Sequence, residues 1–135
     1  MAILIDTSVL VAVERGKLPR GAILEPGEQY AISVVTAAEL LHGVHRAGEA
    51  RTATREAFVE GLLDGLPTLP IDMRVARSYA RASATLATKG TPVDANDLWI
   101  AATALAYDLE VLALDGDYDR IPGVRRVTPG VPRPR

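Results

Sequence analysis

The sequence predicts an α/β domain: a short parallel sheet flanked by helices on both faces, with a helical hairpin added to it. Three observations carry that expectation. Short apolar runs of strand length alternate with longer segments of helical periodicity, the pattern of parallel strands joined by crossover helices. The first run, Ile3-Leu4-Ile5, has no polar alternation, as a strand covered on both faces requires. It then ends abruptly in Asp6-Thr7-Ser8, an acid and two hydroxyls that mark the exit from a sheet. With 135 residues the chain is long enough for one substantial core.

In order, residues 3–5 form the first strand and 7–15 the first helix, with Thr7 or Ser8 as its cap. Residues 16–27 carry Gly and Pro repeatedly and read as a loop with one helical turn near 22–24. Residues 30–33 are the second strand and 34–46 the next helix, with Gly48 in the turn that follows. An amphipathic helix over 49–63 completes the helical hairpin. A third strand at 69–71 sits among prolines. Asp72 caps a long helix that runs to Lys89 and closes at Gly90, and Asp94 caps another that reaches Tyr107. Residues 110–113 are a strand, an acidic loop follows, and 125–127 form a last edge strand. The domain thus spans 1–128, and the Pro- and Arg-rich tail 129–135 is expected to fray.

Composition narrows the function. With no cysteine there is neither a disulfide framework, nor a thiolate metal site, nor a cysteine nucleophile, and a reducing cytoplasm fits. No apolar run reaches the length of a membrane span, and the N-terminus lacks the charged region and cleavage site of a signal peptide, so the expectation is a cytoplasmic protein without membrane contact. A net charge of −2 argues against histone-like binding of nucleic acid. It remains compatible with an enzyme that has a local acidic site and a separate basic rim.

Four acids stand where such a site would form. Asp6 follows the first strand, Glu39 lies early in the helix after the second, Asp97 is in the first turn of its helix, and Asp115 follows the strand at 110–113, with Asp117 and Asp119 beyond it. In a parallel sheet these places share the carboxyl edge, where ligands bind. Each acid also has a structural reading. Thr36-x-x-Glu39 and Asp94-x-x-Asp97 fit capping boxes, Asp6 fits a helix cap and Asp115-Gly116-Asp117 a surface turn. Convergence decides between them. Two carboxylates ~4 Å apart repel by about 4 kcal/mol at an effective dielectric near 20, whereas a helix N-terminus returns only roughly 0.3–1 kcal/mol per anion. Acids gathered at one edge would therefore take up protons or bind a cation. An all-carboxylate set suits a hard ion, Mg²⁺ or Mn²⁺, of the kind that orients water and offsets charge on a phosphodiester.

The segments Ile5-Asp6-Thr7-Ser8, Thr36-Ala37-Ala38-Glu39-Leu40-Leu41-His42-Gly43, Asn96-Asp97-Leu98-Trp99-Ile100-Ala101-Ala102-Thr103-Ala104 and Leu114-Asp115-Gly116-Asp117-Tyr118-Asp119-Arg120-Ile121-Pro122-Gly123 occur in that order over nearly the whole chain. Together they resemble PIN-domain ribonucleases, and more narrowly the VapC toxins of bacterial VapBC toxin–antitoxin pairs. The resemblance implies a PIN-like three-layer fold and a Mg²⁺- or Mn²⁺-dependent endoribonuclease that cuts tRNA or rRNA. It further implies silencing by a cognate VapB-type antitoxin, with a homodimer and a toxin–antitoxin hetero-oligomer as the assemblies. Asp6, Glu39, Asp97 and Asp115 match the catalytic acids; Asp6, Asp97, Asp115 and Asp117 match the metal site; Thr7 or Ser8 would orient Asp6 or a metal-bound water. One departure is visible: such toxins usually carry Thr or Ser just before the last acidic pair, where this chain has Ala113-Leu114, so a hydroxyl contact is missing there.

Other residues read two ways. Arg74, Arg77 and Arg81 align on one side of the long helix, as a solvated face or a contact to RNA phosphates, with Met73, Ala76, Ala80 and Ala84 turned inward. His42 and His45 follow Glu39 at helical spacing but read as surface or packing residues, and Trp99 as core. Leu40, Leu41, Val44, Phe58, Leu62 and Leu63 exceed what one hairpin buries internally, which either the domain core, an antitoxin helix or a second copy would absorb. Two other classes share the opening strand and acid: a phosphotransferase of the haloacid-dehalogenase type using Asp6, and an inert binding module of the same fold. The first would want an acid two residues after Asp6, where Ser8 stands. A dinucleotide-binding fold is not expected, since no Gly-x-Gly-x-x-Gly follows the first strand.

Overall fold

β1 (Ala2–Ile5) lies at the centre of a five-stranded sheet, and everything at the site is arranged around its carboxyl end. The computed structural model describes residues 2–130. After β1 come α1 (Thr7–Glu14), a 3-10 turn (Arg20–Ala22), β2 (Gln29–Ser33), α2 (Val34–Arg46), α3 (Glu49–Gly65), β3 (Thr68–Leu69), α4 (Met73–Lys89), α5 (Ala95–Tyr107), β4 (Glu110–Leu112), a second 3-10 turn (Gly116–Arg120) and β5 (Arg126–Val127). The strand order is β3-β2-β1-β4-β5 and every pairing is parallel. The order reverses at β1, which pairs with β2 on one side and β4 on the other, and a crevice opens beyond the carboxyl ends at such a switch point.

Side chains alternate across β1, so the uninterrupted apolar run serves two cores. Leu4 joins Leu98, Ile100, Val111 and Tyr118 beneath α4 and α5. Ile3 and Ile5 join Val9, Leu10, Leu40 and Val59 beneath α1, α2 and α3. The predicted three layers follow. Leu40, Val44 and Val59 of the helical hairpin are buried, with Leu41, Leu62 and Leu63 packed partly buried against them, so the domain core takes up much of that apolar surface.

Several local expectations are corrected. The cap of α1 is Asp6 itself, whose side chain accepts from the Ser8 amide. The third strand ends at Leu69, because Pro70 has no N–H to give a ladder. The early helical turn is at Arg20–Ala22, and the acidic loop contains the second 3-10 turn. Ser33 caps α2 through the Val35 amide, so Thr36 and Glu39 form no capping box. The phase of α4 differs too. Val75, Ser78, Ala82 and Leu86 face the core, while Met73 is 65% exposed and Ala80 and Ala84 are exposed. Trp99 is half-buried and stacks on Tyr79, ring centroids 3.8 Å apart. The tail expectation falls largely on residues 131–135, outside the described residues; Pro129 and Gly130 form a turn.

The burial pattern predicts opposite outcomes for two substitutions. Leu4→Ala, at a side chain with no exposure, should lower unfolding free energy by about 2–5 kcal/mol in urea denaturation. Met73→Ala should stay within about 0.5 kcal/mol, whereas an inward Met73 would cost as much as Leu4.

Candidate active site

Asp6 is delivered to the site by the sheet. Its amide donates to the Leu112 carbonyl at 2.9 Å, extending the β1–β4 ladder by one bond, and its side chain is almost fully buried at 4% exposure. Both carboxylate oxygens are engaged. Oδ2 accepts from the Ser8 amide at 3.1 Å and from the Ser8 hydroxyl in a short contact, and Oδ1 accepts from the Tyr118 hydroxyl at 2.6 Å. Ser8 thus orients Asp6, as one of the two expected supporting hydroxyls.

The other, Thr7, serves a different acid. Its hydroxyl donates to Glu39 Oε1 at 2.7 Å and lies 3.1 Å from the Thr36 hydroxyl. Asn96 donates to Glu39 Oε2 at 3.4 Å, so the first turn of α5 reaches across to α2. One residue on, Asp97 is half-buried, 3.5 Å from the Tyr118 hydroxyl. Burial, then the charges of Asp6, Asp94, Asp115 and Glu39, push its carboxyl up to about 6. Neighbouring carboxylates thus add to the effect of burial.

Asp115 caps the second 3-10 turn by accepting from the Asp117 amide at 2.8 Å. The turn buries Tyr118 completely beneath the sheet edge. Burial and the neighbouring Asp6 hold its hydroxyl far above the usual phenol range, so it remains a donor between Asp6 and Asp97. Arg126 fixes the same loop from β5: it grips Asp119 bidentately, both contacts 3.0 Å, and donates to the Ala113 carbonyl at 3.3 Å. Asp119 is therefore committed to Arg126, which holds its carboxyl below the usual range.

Asp6, Glu39, Asp97 and Asp115 line one cleft of about 420 Å³. Asp97, Asp115 and Asp117 each offer an oxygen within 4.8 Å of the others, the spacing of a shared cation. All five acids singled out in the sequence thus belong to one edge, although Asp117 is also 3.7 Å from Arg120. The arginines of α4 stand apart. Arg74 pairs with Asp72 and lies over the Tyr107 ring, and Arg81 lines a separate hollow; neither these two nor Arg77 lines the acidic cleft. His42 and His45 are exposed and do not line it either. Tyr118, Asn96 and Thr36 are contacts that sequence reasoning missed. A single aromatic inside an acid-rich loop, Asp115-Gly116-Asp117-Tyr118-Asp119, is the one local signal that could have pointed to Tyr118.

A donor set made only of carboxylates, with hydroxyls and an amide around it, fits a hard divalent cation and no soft one. It fits a covalent phosphotransferase poorly, because the would-be nucleophile Asp6 is buried and hydrogen-bonded on both oxygens.

Comparison with known proteins agrees. Residues 3–124 match the PIN domain family model. The chain is 40% identical over 124 residues to Ribonuclease VapC5 of Mycobacterium tuberculosis, covering 91% of this chain and 90% of the relative. It is 35% identical over 95 residues to the tRNA(fMet)-specific endonuclease VapC of Salmonella typhimurium, covering 70% of each. Among solved structures, the VapBC-5 toxin–antitoxin system of Mycobacterium tuberculosis superposes with a TM-score of 0.77 at 37% identity, over 97% of this chain and 100% of that one. DNA-bound VapBC from Salmonella typhimurium superposes with a TM-score of 0.85 at 28% identity, over 95% and 98%. The chain belongs to the PIN-domain family, within its VapC ribonucleases.

Proposed function

We propose that this protein is a divalent-metal-dependent endoribonuclease, the toxin of a toxin–antitoxin pair, hydrolysing phosphodiester bonds in cellular tRNA or rRNA. The observation that carries the reading is the convergence of Asp6, Glu39, Asp97 and Asp115 on one cleft at the sheet's switch point. The names of the relatives, ribonuclease and tRNA-specific endonuclease, support the reaction, and the toxin–antitoxin complexes among the structural neighbours support the partner. On this reading the nuclease domain is 1–128, the partner is a VapB-type antitoxin, the toxin itself is a homodimer within the hetero-oligomer, and the reaction runs in the cytoplasm.

Asp97, Asp115 and Asp117, with Asp6 beside them, are the residues that would hold Mg²⁺ or Mn²⁺. When bound, the ion would offset the negative charge that grows on the phosphodiester during in-line displacement. The chain's own groups do the rest. Ser8 and Tyr118 hold Asp6 in one orientation. Thr7 fixes Glu39 through Oε1, and its other oxygen, with only the long Asn96 contact, is placed to accept a proton from the attacking water. Below about pH 6, Asp97 must give up its proton before a cation can be held.

Three outcomes test this. Purified tRNA and rRNA should be cut with Mg²⁺ or Mn²⁺ and not in EDTA. Asp6→Asn should abolish cutting while leaving the fold intact, since Asn caps a helix as well as Asp; Asp97→Asn should abolish it as well. Glu39→Gln should slow it roughly 100- to 10,000-fold. Cleavage that survives chelation, Asp6→Asn or Asp97→Asn, or that Glu39→Gln leaves at the wild-type rate, overturns the proposal, and an inert module would never cut.

The second outcome concerns pH. Because Asp97 is raised from 3.8 to about 6, the folded metal-free protein holds a proton there that the unfolded chain has released. Its stability should therefore fall as pH rises from about 4 to about 6, and Mn²⁺ binding should tighten through the same window with release of a proton. Asp97→Asn should flatten that slope and melt a few degrees higher than wild type at pH 8, in scanning calorimetry without metal.

The third isolates Tyr118. Tyr118→Phe keeps the ring in the core and removes the donor placed between Asp6 and Asp97. The fold should persist with a melting loss of at most a few degrees, while Mn²⁺ affinity, read by calorimetry, weakens about 10- to 100-fold. Unaltered affinity would show that the hydroxyl merely satisfies itself.

A further inference from the structure

The same cleft carries two positive side chains. Arg15 and Lys17 line it together with the acids, and among the described residues neither forms an ion pair. Cations that served to neutralise the acidic floor would be paired with it. Both are exposed, at the end of α1 where the chain turns.

The turn that presents them is built. Gly16 adopts φ +73°, a left-handed conformation that β-carbons disfavour, and the amides after it close back on the helix. The Gly16 amide donates to the Val13 carbonyl at 3.1 Å and the Lys17 amide to the Ala12 carbonyl at 2.8 Å. Ala12 itself is buried, so the turn is fixed to the core and the two cations flank one rigid corner beside the cleft.

Charge decides what they face. A phosphodiester approaching four carboxylates is repelled, and one divalent ion cancels only half of their formal charge. The strand on either side of the scissile bond carries further phosphates, each of which needs a positive group if it is to lie along an acidic cleft. Among the described residues lining the cleft, Arg15 and Lys17 are the two that can supply it. The α4 arginines, read from sequence as a solvated face or a contact to phosphates, do not line it.

We propose that Arg15 and Lys17 form a phosphate subsite that binds the RNA backbone beside the scissile bond and positions it over the acids. The inference rests on the nuclease reading. Cleavage of total bacterial tRNA and rRNA is measured with Mn²⁺ over a range of RNA and salt concentrations, for wild type, Arg15→Ala/Lys17→Ala and the charge-keeping Arg15→Lys/Lys17→Arg. The alanine pair should raise KM about tenfold or more with most of the loss outside kcat. It should also lower the salt slope of log(kcat/KM) by about 1.4, the share of two contacts to a single strand. The charge-keeping pair should recover most of both. Mn²⁺ binding by calorimetry should be unweakened in the alanine pair, since removing nearby positive charge cannot repel a cation. Equal KM and salt slope in wild type and alanine pair would overturn the subsite and leave the nuclease reading standing, and so would a joint loss of Mn²⁺ binding, which would mean a structural role for the turn. A wild type that cuts no RNA would overturn both.

Discussion

Holding like charges together is the constraint on which the rest of this structure depends. Asp6 and Asp97 approach the same buried hydroxyl, Tyr118, from the ends of β1 and α5, and Glu39 and Asp115 line the cleft with them. Like charges this close repel, and burial together with them raises the Asp97 carboxyl to about 6. What contains the repulsion is a set of neutral donors. Ser8 and Tyr118 serve Asp6, Thr7 and Asn96 serve Glu39, and the Asp117 amide serves Asp115. Hydroxyls and amides lower the energy of the charged forms without cancelling their charge, which an Arg or Lys in the same place would do. The cluster therefore keeps its appetite for a cation.

That arrangement explains why the sheet has the order it has. The acids come from β1, α2, α5 and the loop after β4, elements separated by many residues but adjacent at the switch point. Register matters as much as order. Ile5 pairs with Leu112, so Asp6 and the loop beginning at Ala113 leave the sheet side by side. A slip of one residue would turn Asp6 to the opposite face and bury Ile5's neighbours wrongly. Arg126 then clamps the loop from β5, a two-residue edge strand, by taking Asp119 out of competition for the site. The edge strand contributes little core but a great deal of positioning.

Much of this was legible in the sequence, for physical reasons that differ by element. β1 was visible because a doubly covered strand must be apolar throughout, and α4 because Asp72 and Gly90 bracket it with a cap and a left-handed stop, φ 64°. The acids were visible because each follows a strand or opens a helix. The face of α4 was misread because Ala stands on both sides of that helix and the true core face includes Ser78, polar by type yet buried. The Thr36-x-x-Glu39 capping box was plausible by spacing, but α2 begins at Val34, one residue after its actual cap, Ser33, while Asp94 does cap α5. The donors around the acids were the least legible part. Tyr118 meets Asp6 across 112 residues of chain, and no local pattern encodes a hydrogen bond formed only when two halves of a sheet close.

Those distances in sequence have a thermodynamic consequence. An unfolded chain presents Asp6, Glu39, Asp97 and Asp115 as isolated acids with no common cation site, so any ion the cluster binds is bound by the folded state alone and stabilises it by mass action. A site of this kind is gained only as a whole. Loss of Leu4 from the core, of the Arg126 clamp from the loop or of one hydroxyl beneath Asp6 would each be felt at the same carboxylates, because the fold gathers them in one cleft.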